Sequence, residues 1–344
     1  MFVSIKRKVK ILIIDDGILF SEALARKMCS DQWIEVVATA VNPYEARDKI
    51  LEFEPDVLTL KLDLPKMNGI DFLKRLLPQY PIPIVILNEM DDRIFDALNA
   101  GAVDYVIKSD FCDGRRFEAM VNELTIKVKI ASTAKVGYLK KDYSLKNVSE
   151  TAINYSGIIA IGASTGGTEA IAYILKALPR EMPGIVIVQH MPPNFTKMYA
   201  ERLNNNCLIE VKEAEDGDHL SPGRALIAPG DHQMVVSRYG NNFRVKCFKG
   251  ERVNGHCPSV DVLFESVSQQ AGKKSVGVIL TGMGADGANG LLLMRQRGAK
   301  TIGQNRDSSV VYGMPKVAME IGAVDLQIGL SEMPDAIYSC ISEL

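Results

Sequence analysis

Short apolar runs separated by amphipathic stretches recur along most of this chain. In the first third the runs are Val9–Ile14, Ile34–Ala40, Val57–Leu60, Ile84–Leu87 and Val103–Ile107. Each is short and rich in Val and Ile, which predicts a strand buried on both faces. Between them Leu19-Phe20 with Ala23-Leu24, Tyr44–Leu51, Ile70–Leu77 and Ile94–Ala100 show helical spacing. Five such βα units predict an α/β fold with a doubly wound parallel sheet over residues 1–130.

From 131 to 152 the pattern lapses. Ala131-Ser132-Thr133-Ala134-Lys135, Lys140-Lys141-Asp142 and the stretch 144–150 are polar and aperiodic, which predicts a linker. Residues 153–344 resume the alternation as a second α/β unit, expected to be doubly wound and mainly parallel. Its strands are expected at Gly157–Ile161, Gly184–Gln189 and Ser275–Leu280, and its helices at Thr168–Leu178, Asn194–Leu203, Val260–Ala271, Gly287–Arg297, Pro315–Ile321 and Met333–Ser342. Ala225–Ala228, Gln233–Ser237 and Phe243–Phe248 read as short strands. Asn241-Asn242 is a hairpin turn candidate, so part of the sheet is expected to be antiparallel.

Composition narrows the class. The 344 residues suffice for about two domains. The net charge of −2 argues against a general nucleic-acid binder, which carries a basic excess. No apolar run approaches the ~20 residues that cross a bilayer. The basic start, Met1–Lys8, is followed by no long apolar region, so no signal peptide is expected. Cys29, Cys112, Cys207, Cys247, Cys257 and Cys340 form no C-x-x-C pair, as expected for reduced thiols in a cytoplasmic protein without a zinc site.

Three reactive side chains lie just beyond strand candidates. Ser164 sits in Gly162-Ala163-Ser164-Thr165-Gly166-Gly167, His190 follows Gln189, and Asp286 lies in Thr281-Gly282-Met283-Gly284-Ala285-Asp286-Gly287. Loops beyond the carboxyl ends of parallel strands are where sites form. The Gly-x-Ser-x-Gly spacing fits a sharp strand-to-helix turn that exposes a serine. A serine, an imidazole and a carboxylate at one sheet edge are what nucleophilic acyl transfer needs. Each residue alone has a plainer reading. The loop fits phosphate binding or a simple turn, His190 fits a hydrogen-bonded strand end, and Asp286 fits the N-cap of the helix expected at Gly287–Arg297. His219, His232 and His256 lie in polar turns and lack the i,i+4 partner of a helical metal pair. Structural or substrate-rim roles are expected for them.

Longer motifs carry a family resemblance. Ile161–Ala170, Gln189-His190-Met191-Pro192-Pro193, Pro258–Phe264, Leu280–Ala288 and Tyr312-Gly313-Met314-Pro315-Lys316 resemble the chemotaxis receptor methylesterases of the CheB family across nearly all of 155–330. The resemblance implies Ser164 as nucleophile, His190 as base and Asp286 as the group that orients it. It also implies an oxyanion held by the backbone N–H groups of Thr165 and Met283, and no cofactor. The implied activity is hydrolysis of γ-glutamyl methyl esters on the signalling helices of methyl-accepting chemoreceptors, with deamidation of certain receptor glutamines.

The first unit resembles the response-regulator receiver that precedes the esterase in this family, a flavodoxin-like (βα)5 domain. Asp15 and Asp16 match its acidic pair, and Gly101–Lys108 matches its last strand with the aromatic Tyr105 and Lys108. The segment Pro55–Gly69 matches the phosphate-acceptor region, but Lys61 stands where the family has aspartate. Asn88 replaces a Ser or Thr, and Ser109 replaces a proline. One ammonium for one carboxylate takes the pocket from about −3 to about −1 and removes an oxygen ligand. Lys61 is therefore expected to pair with Asp15 or Asp16, with no phosphorylation at position 61, weak or absent Mg²⁺ binding, and Asp63 a poor substitute. In the family the unmodified receiver covers the esterase site. Here a pseudo-receiver that docks or positions is expected, and the partner histidine kinase is left open. A catalytically idle scaffold of a chemosensory array is the second reading, and nucleotide binding at 162–167 the third. The latter would want an acidic residue after the next strand, where Gln189-His190 stands instead.

Overall fold

The computed structural model describes residues 7–110, 112–136, 157–240 and 242–344. The chain divides into two compact units, Met1–Lys140 and Lys141–Leu344. Most of the expected linker, 137–152, lies outside the described residues.

The first unit runs β1 (Val9–Ile14), α1 (Ile18–Met28), β2 (Ile34–Ala40), α2 (Pro43–Phe53), β3 (Val57–Leu60), α3 (Gly69–Leu76), β4 (Ile84–Asn88), α4 (Arg93–Asn99), β5 (Asp104–Ile107) and α5 (Gly114–Ala131). The strands pair in parallel in the order β2-β1-β3-β4-β5. This is the doubly wound order whose direction reverses between β1 and β3, and the crevice at such a reversal is where ligands bind. Strands such as Val57-Leu58-Thr59-Leu60 are buried throughout, because helices cover both faces of the sheet. Asn42 and Asn68 start α2 and α3 by accepting hydrogen bonds from Tyr44, Glu45, Ile70 and Asp71 N–H groups. The lapse expected from 131 begins where α5 ends, and Ser132, Thr133 and Ala134 close its last turn with backbone hydrogen bonds.

The second unit runs β6 (Ile158–Ala163), α6 (Gly167–Ala177), β7 (Gly184–Gln189), α7 (Phe195–Asn204), β8 (Glu210–Glu213), β9 (Arg224–Ile227), β10 (Gln233–Tyr239), β11 (Asn242–Phe248), α8 (Val260–Gln270), β12 (Ser275–Ile279), α9 (Ala288–Gln296), β13 (Lys300–Gln304), α10 (Met314–Glu320), β14 (Leu326–Ile328) and α11 (Met333–Ser342). Seven strands form one sheet, ordered β14-β13-β12-β6-β7-β9-β8. All of its pairings are parallel. The expected antiparallel element forms a sheet of its own, the β10–β11 hairpin. Asn242 is already in strand, opposite Tyr239, so the turn begins at Gly240; Asn241 lies outside the described residues.

The hairpin and α8 share one core with the large sheet. Met234, Val236, Phe243 and Val245 meet Leu263, Phe264 and Val267 of α8 in the same buried cluster as Ile158, Ala160, Val186 and Val188 of β6 and β7. Full burial of each such side chain contributes about 1.5–3 kcal/mol. That packing fixes where the N-terminus of α8 points.

Candidate active site

The order of the large sheet brings the three candidate residues to neighbouring strands. Asp286 follows β12, Ser164 follows β6 and His190 follows β7, and β12, β6 and β7 are adjacent. The connections that follow β6 and β12 run in opposite directions, to β7 and to β13, so this is the topological switch point of the sheet. Ala163 pairs with Gln189, and the His190 N–H donates to Ala163 O at 3.2 Å, so Ser164 and His190 emerge side by side.

Ser164 ends β6 in a turn held by backbone bonds. Its N–H donates to Thr281 O at 3.0 Å, and its carbonyl accepts from Gly167 N at 2.7 Å and from Gln189 Nε2 at 3.0 Å. Thr281 laces the loops together: its hydroxyl donates to Thr165 O at 3.0 Å and accepts from Val311 N at 2.9 Å, and its N–H donates to Gln304 Oε1 at 2.8 Å. The next residue, Gly282, passes close to the serine. A Cβ there would lie 2.6 Å from Ser164 Cβ and 3.0 Å from Ser164 N. Gly282 therefore runs against Ser164.

His190 and Asp286 are in direct contact. Nε2 of His190 lies 2.8 Å from Oδ2 of Asp286, with side-chain exposures of 8% and 1%. A carboxylate only accepts, so the Nε2 proton belongs to this bond and Nδ1 carries the lone pair. Nδ1 is buried and has no hydrogen-bond partner among the described residues. A buried acceptor left unmade costs about 1–3 kcal/mol, so its persistence asks for a role.

The setting of Asp286 was not legible in its own motif. Gly287 starts α9, and the Asp286 carboxylate serves α8 instead. It accepts from Val260 N (2.7 Å) and Asp261 N (3.3 Å), the first N–H groups of α8, and from Ser259 Oγ (2.7 Å) and Asn254 Nδ2 (2.9 Å). A helix N-terminus with its unmet donors and positive dipole end suits an anion. Burial alone would push this carboxyl up. The hydrogen bonds from His190, Asn254 and Ser259 outweigh it and hold Asp286 well below the usual carboxylate range. Close approach explains Gly162, because an added Cβ would collide with the Val260 side chain at that helix start. Asn254, Ser259 and Val260 are thus the supports that the sequence reading missed. The Asn254-Gly255 turn dipeptide was the available signal, but its contact with Asp286 is long-range.

His256 lies beside the pair. Its ring stacks on that of His190 with centroids 3.7 Å apart and planes 7° apart. His219 and His232 are elsewhere: His219 meets the Tyr239 ring edge-on, and His232 Nδ1 is 3.1 Å from Gly230 O.

Comparison with known proteins gives the chain a family. Residues 159–337 match the family profile of CheB methylesterase, and residues 11–122 that of the response regulator receiver domain. The chain is 52% identical to a protein-glutamate methylesterase/protein-glutamine glutaminase 2 of Syntrophomonas wolfei, over 98% of this chain and 99% of that one. It belongs to the CheB methylesterase family. It is also 44% identical to the Salmonella typhimurium protein-glutamate methylesterase/protein-glutamine glutaminase, over 97% of each chain. The crystal structure of the Thermotoga maritima CheB methylesterase catalytic domain matches with a TM-score of 0.52 at 36% identity, covering 53% of this chain and 97% of that one. No described helix is long and apolar enough to cross a membrane.

In this CheB-family chain the receiver unit has an altered pocket at its own switch point. Asp15 and Asp16 follow β1 and Lys61 follows β3. Lys61 Nζ donates to Asp16 Oδ1 at 2.6 Å, and Lys108 Nζ to Asp15 Oδ2 at 2.5 Å. Burial opposes the charge on Lys61, but Asp16, with Asp15 and Asp63 behind it, raises its pKa above the usual value. Asp63 turns away to a bidentate pair with Arg93 at 2.8 Å, and Arg93 also binds Asp91. Asn88 is tied to the Leu62 N–H at 3.0 Å. With an ammonium on each of its two acids, this donor set does not fit a divalent cation. The Lys108–Asp15 pair, with Asp15 1% exposed, is the stronger anchor. Breaking a buried pair costs about 3–5 kcal/mol. The more open Lys61–Asp16 contact (23% and 40% exposed) is worth about 1 kcal/mol or less.

Proposed function

We propose that this chain is a serine hydrolase that removes γ-methyl esters from chemoreceptor glutamates and deamidates certain receptor glutamines, acting in the cytoplasm on the receptors' signalling helices. Residues 153–344 form the hydrolytic unit, 1–130 the receiver-like unit and 131–152 the connection. The observation that carries this reading is the buried His190 Nε2–Asp286 contact of 2.8 Å, with Nδ1 unpartnered among the described residues and His190 following the strand next to the one that Ser164 follows.

Ser164 Oγ attacks the γ-carbonyl carbon as its proton passes to His190 Nδ1. The cation that forms on His190 is stabilised across Nε2 by Asp286, which stays ionised. The tetrahedral oxyanion is held by the backbone N–H groups of Thr165 and Met283, each such donor contributing about 3–4 kcal/mol at the transition state. Nδ1–H then protonates the leaving group, so methanol or ammonia departs. Water, deprotonated by the same nitrogen, cleaves the acyl-enzyme and leaves a glutamate carboxylate. The Ser164 hydroxyl makes no hydrogen bond to Nδ1 here, and such contacts commonly tighten only when substrate is bound.

The receiver-like unit acts in this reading without phosphorylation at position 61, as a docking or positioning module. The Lys61–Asp16 pair supports that assignment. Methanol release from a methylated receptor fragment, measured for the protein and for Ser164→Ala, tests the hydrolytic reading. Release is expected only with the serine, and equal release by both would remove Ser164 as nucleophile.

A further inference from the structure

The turn that supports Asp286 also reaches His190. Val253 and His256 close a two-residue turn with backbone bonds of 3.0 and 2.9 Å, and Asn254 and Gly255 both have positive φ, 54° and 85°. From its first corner Asn254 Nδ2 bridges Asp286 Oδ1 at 2.9 Å and Asp261 Oδ2 at 2.7 Å. From its end the His256 ring lies flat on the His190 ring, 3.7 Å away. One short turn therefore touches both members of the His190–Asp286 pair.

The two parallel rings are not a metal pair. Lone pairs in parallel planes do not converge on one point, and no group of three or more ligands that could hold a metal occurs among the described residues. What the stack does is mechanical. The bond to Asp286 fixes His190 at Nε2 alone, and Nδ1 has no hydrogen-bond partner of its own among the described residues. Rotation about the Cβ–Cγ bond would swing Nδ1 away while straining a single hydrogen bond. A second ring against the face blocks that rotation and keeps water off it.

We propose that His256 is a positioning residue for the proposed base: its ring face holds the plane of the His190 imidazole, so that Nδ1 keeps one orientation through the catalytic cycle. The inference rests on the reading of His190 as the base. Charge is consistent with it. Burial first, then His190 and Arg252, lower the His256 pKa to about 4 against the opposing pull of Asp286. His256 is thus neutral when His190 takes up the serine proton, and the stack never holds two like charges.

The test uses the full chain and methanol release from a methylated receptor fragment. His256→Ala is expected to lower kcat about 10- to 100-fold while KM moves less than about twofold, the pattern of lost positioning. His256→Phe keeps the face and discards both nitrogens, and is expected to recover kcat to within about threefold of the parent. His256→Gln keeps bulk and polarity without the aromatic face and is expected to be as slow as Ala. The low-field Nε2 proton of His190 in NMR is expected in the parent and in His256→Phe, and exchange-broadened in His256→Gln. A Phe variant as slow as Gln overturns the proposal, as does a rise in KM at constant kcat. Ser164→Ala run alongside separates the two levels. Activity surviving that change removes Ser164 as nucleophile and with it the reading of His190 as its base, whereas an inactive Ser164→Ala beside fully active His256→Gln removes only the positioning role.

Discussion

Oδ2 of Asp286 is shared between His190 Nε2 at 2.8 Å and the Val260 N–H at 2.7 Å. The acid of the pair is thus anchored to the first turn of a helix, and the imidazole inherits that anchorage. The bond it accepts from Nε2 leaves the lone pair of the ring on Nδ1.

Asp286→Asn keeps the size of the side chain but replaces an acceptor oxygen by an amide. The Nε2 proton then has no carboxylate to bind, and the base tautomer is no longer favoured. Turnover is expected to drop roughly 10⁴-fold with little change in KM, read from kcat and KM on a methylated receptor fragment.

Gly282→Ala places a methyl 2.6 Å from Ser164 Cβ, closer than two carbons approach. Either the serine turn or the 282–284 loop must yield. The variant is expected to fold, with an unchanged far-ultraviolet spectrum, and to lose about 100-fold in kcat.

Stability is expected to fall on acidification in two stages. His256 titrates near 4 in the folded chain against 6.5 ordinarily. Between those values the unfolded chain binds a proton that the folded ring refuses, so stability declines as pH drops from about 6.5 to about 4. His256→Phe should remove that part of the slope in urea titrations. Asp286 is depressed, so its contribution is complete above the ordinary carboxylate pKa of 3.8 and is lost as pH falls below it. Asp286→Asn should flatten the second stage.

The receiver unit is expected to take no phosphoryl group from acetyl phosphate with Mg²⁺, measured as intact mass. Lys61→Ala frees Asp16 but restores no carboxylate, and should remain unlabelled. Labelling of Asp63 in either protein would contradict the pairing of that residue with Arg93.

Strands sealed on both faces announced themselves. Val9–Ile14, Val57–Leu60 and Gly184–Gln189 have the expected bounds because Val, Ile and Leu dominate them, and Ile34–Ala40 has them although Glu35 is exposed. The strands that went unread are polar or at the edge: Glu210-Val211-Lys212-Glu213 on one rim, Leu326-Gln327-Ile328 on the other, and Lys300-Thr301-Ile302-Gly303-Gln304 beside it. Their hydrophobic pattern is weak, and pairing with neighbours decides them. The site divides the same way. Strand ends and small residues marked Ser164, His190 and Asp286. Asn254, Ser259 and Val260 act through contacts that span 26 to 32 residues, and no local pattern encodes such a contact.

Because α8 is packed on the β10–β11 hairpin and its N-terminus grips Asp286, the hairpin is coupled to the reacting imidazole by a rigid rod. A cavity cut under Phe243 or Met234, far along the chain from the serine, would tilt that rod and register as slowed chemistry before it registered as a lost fold.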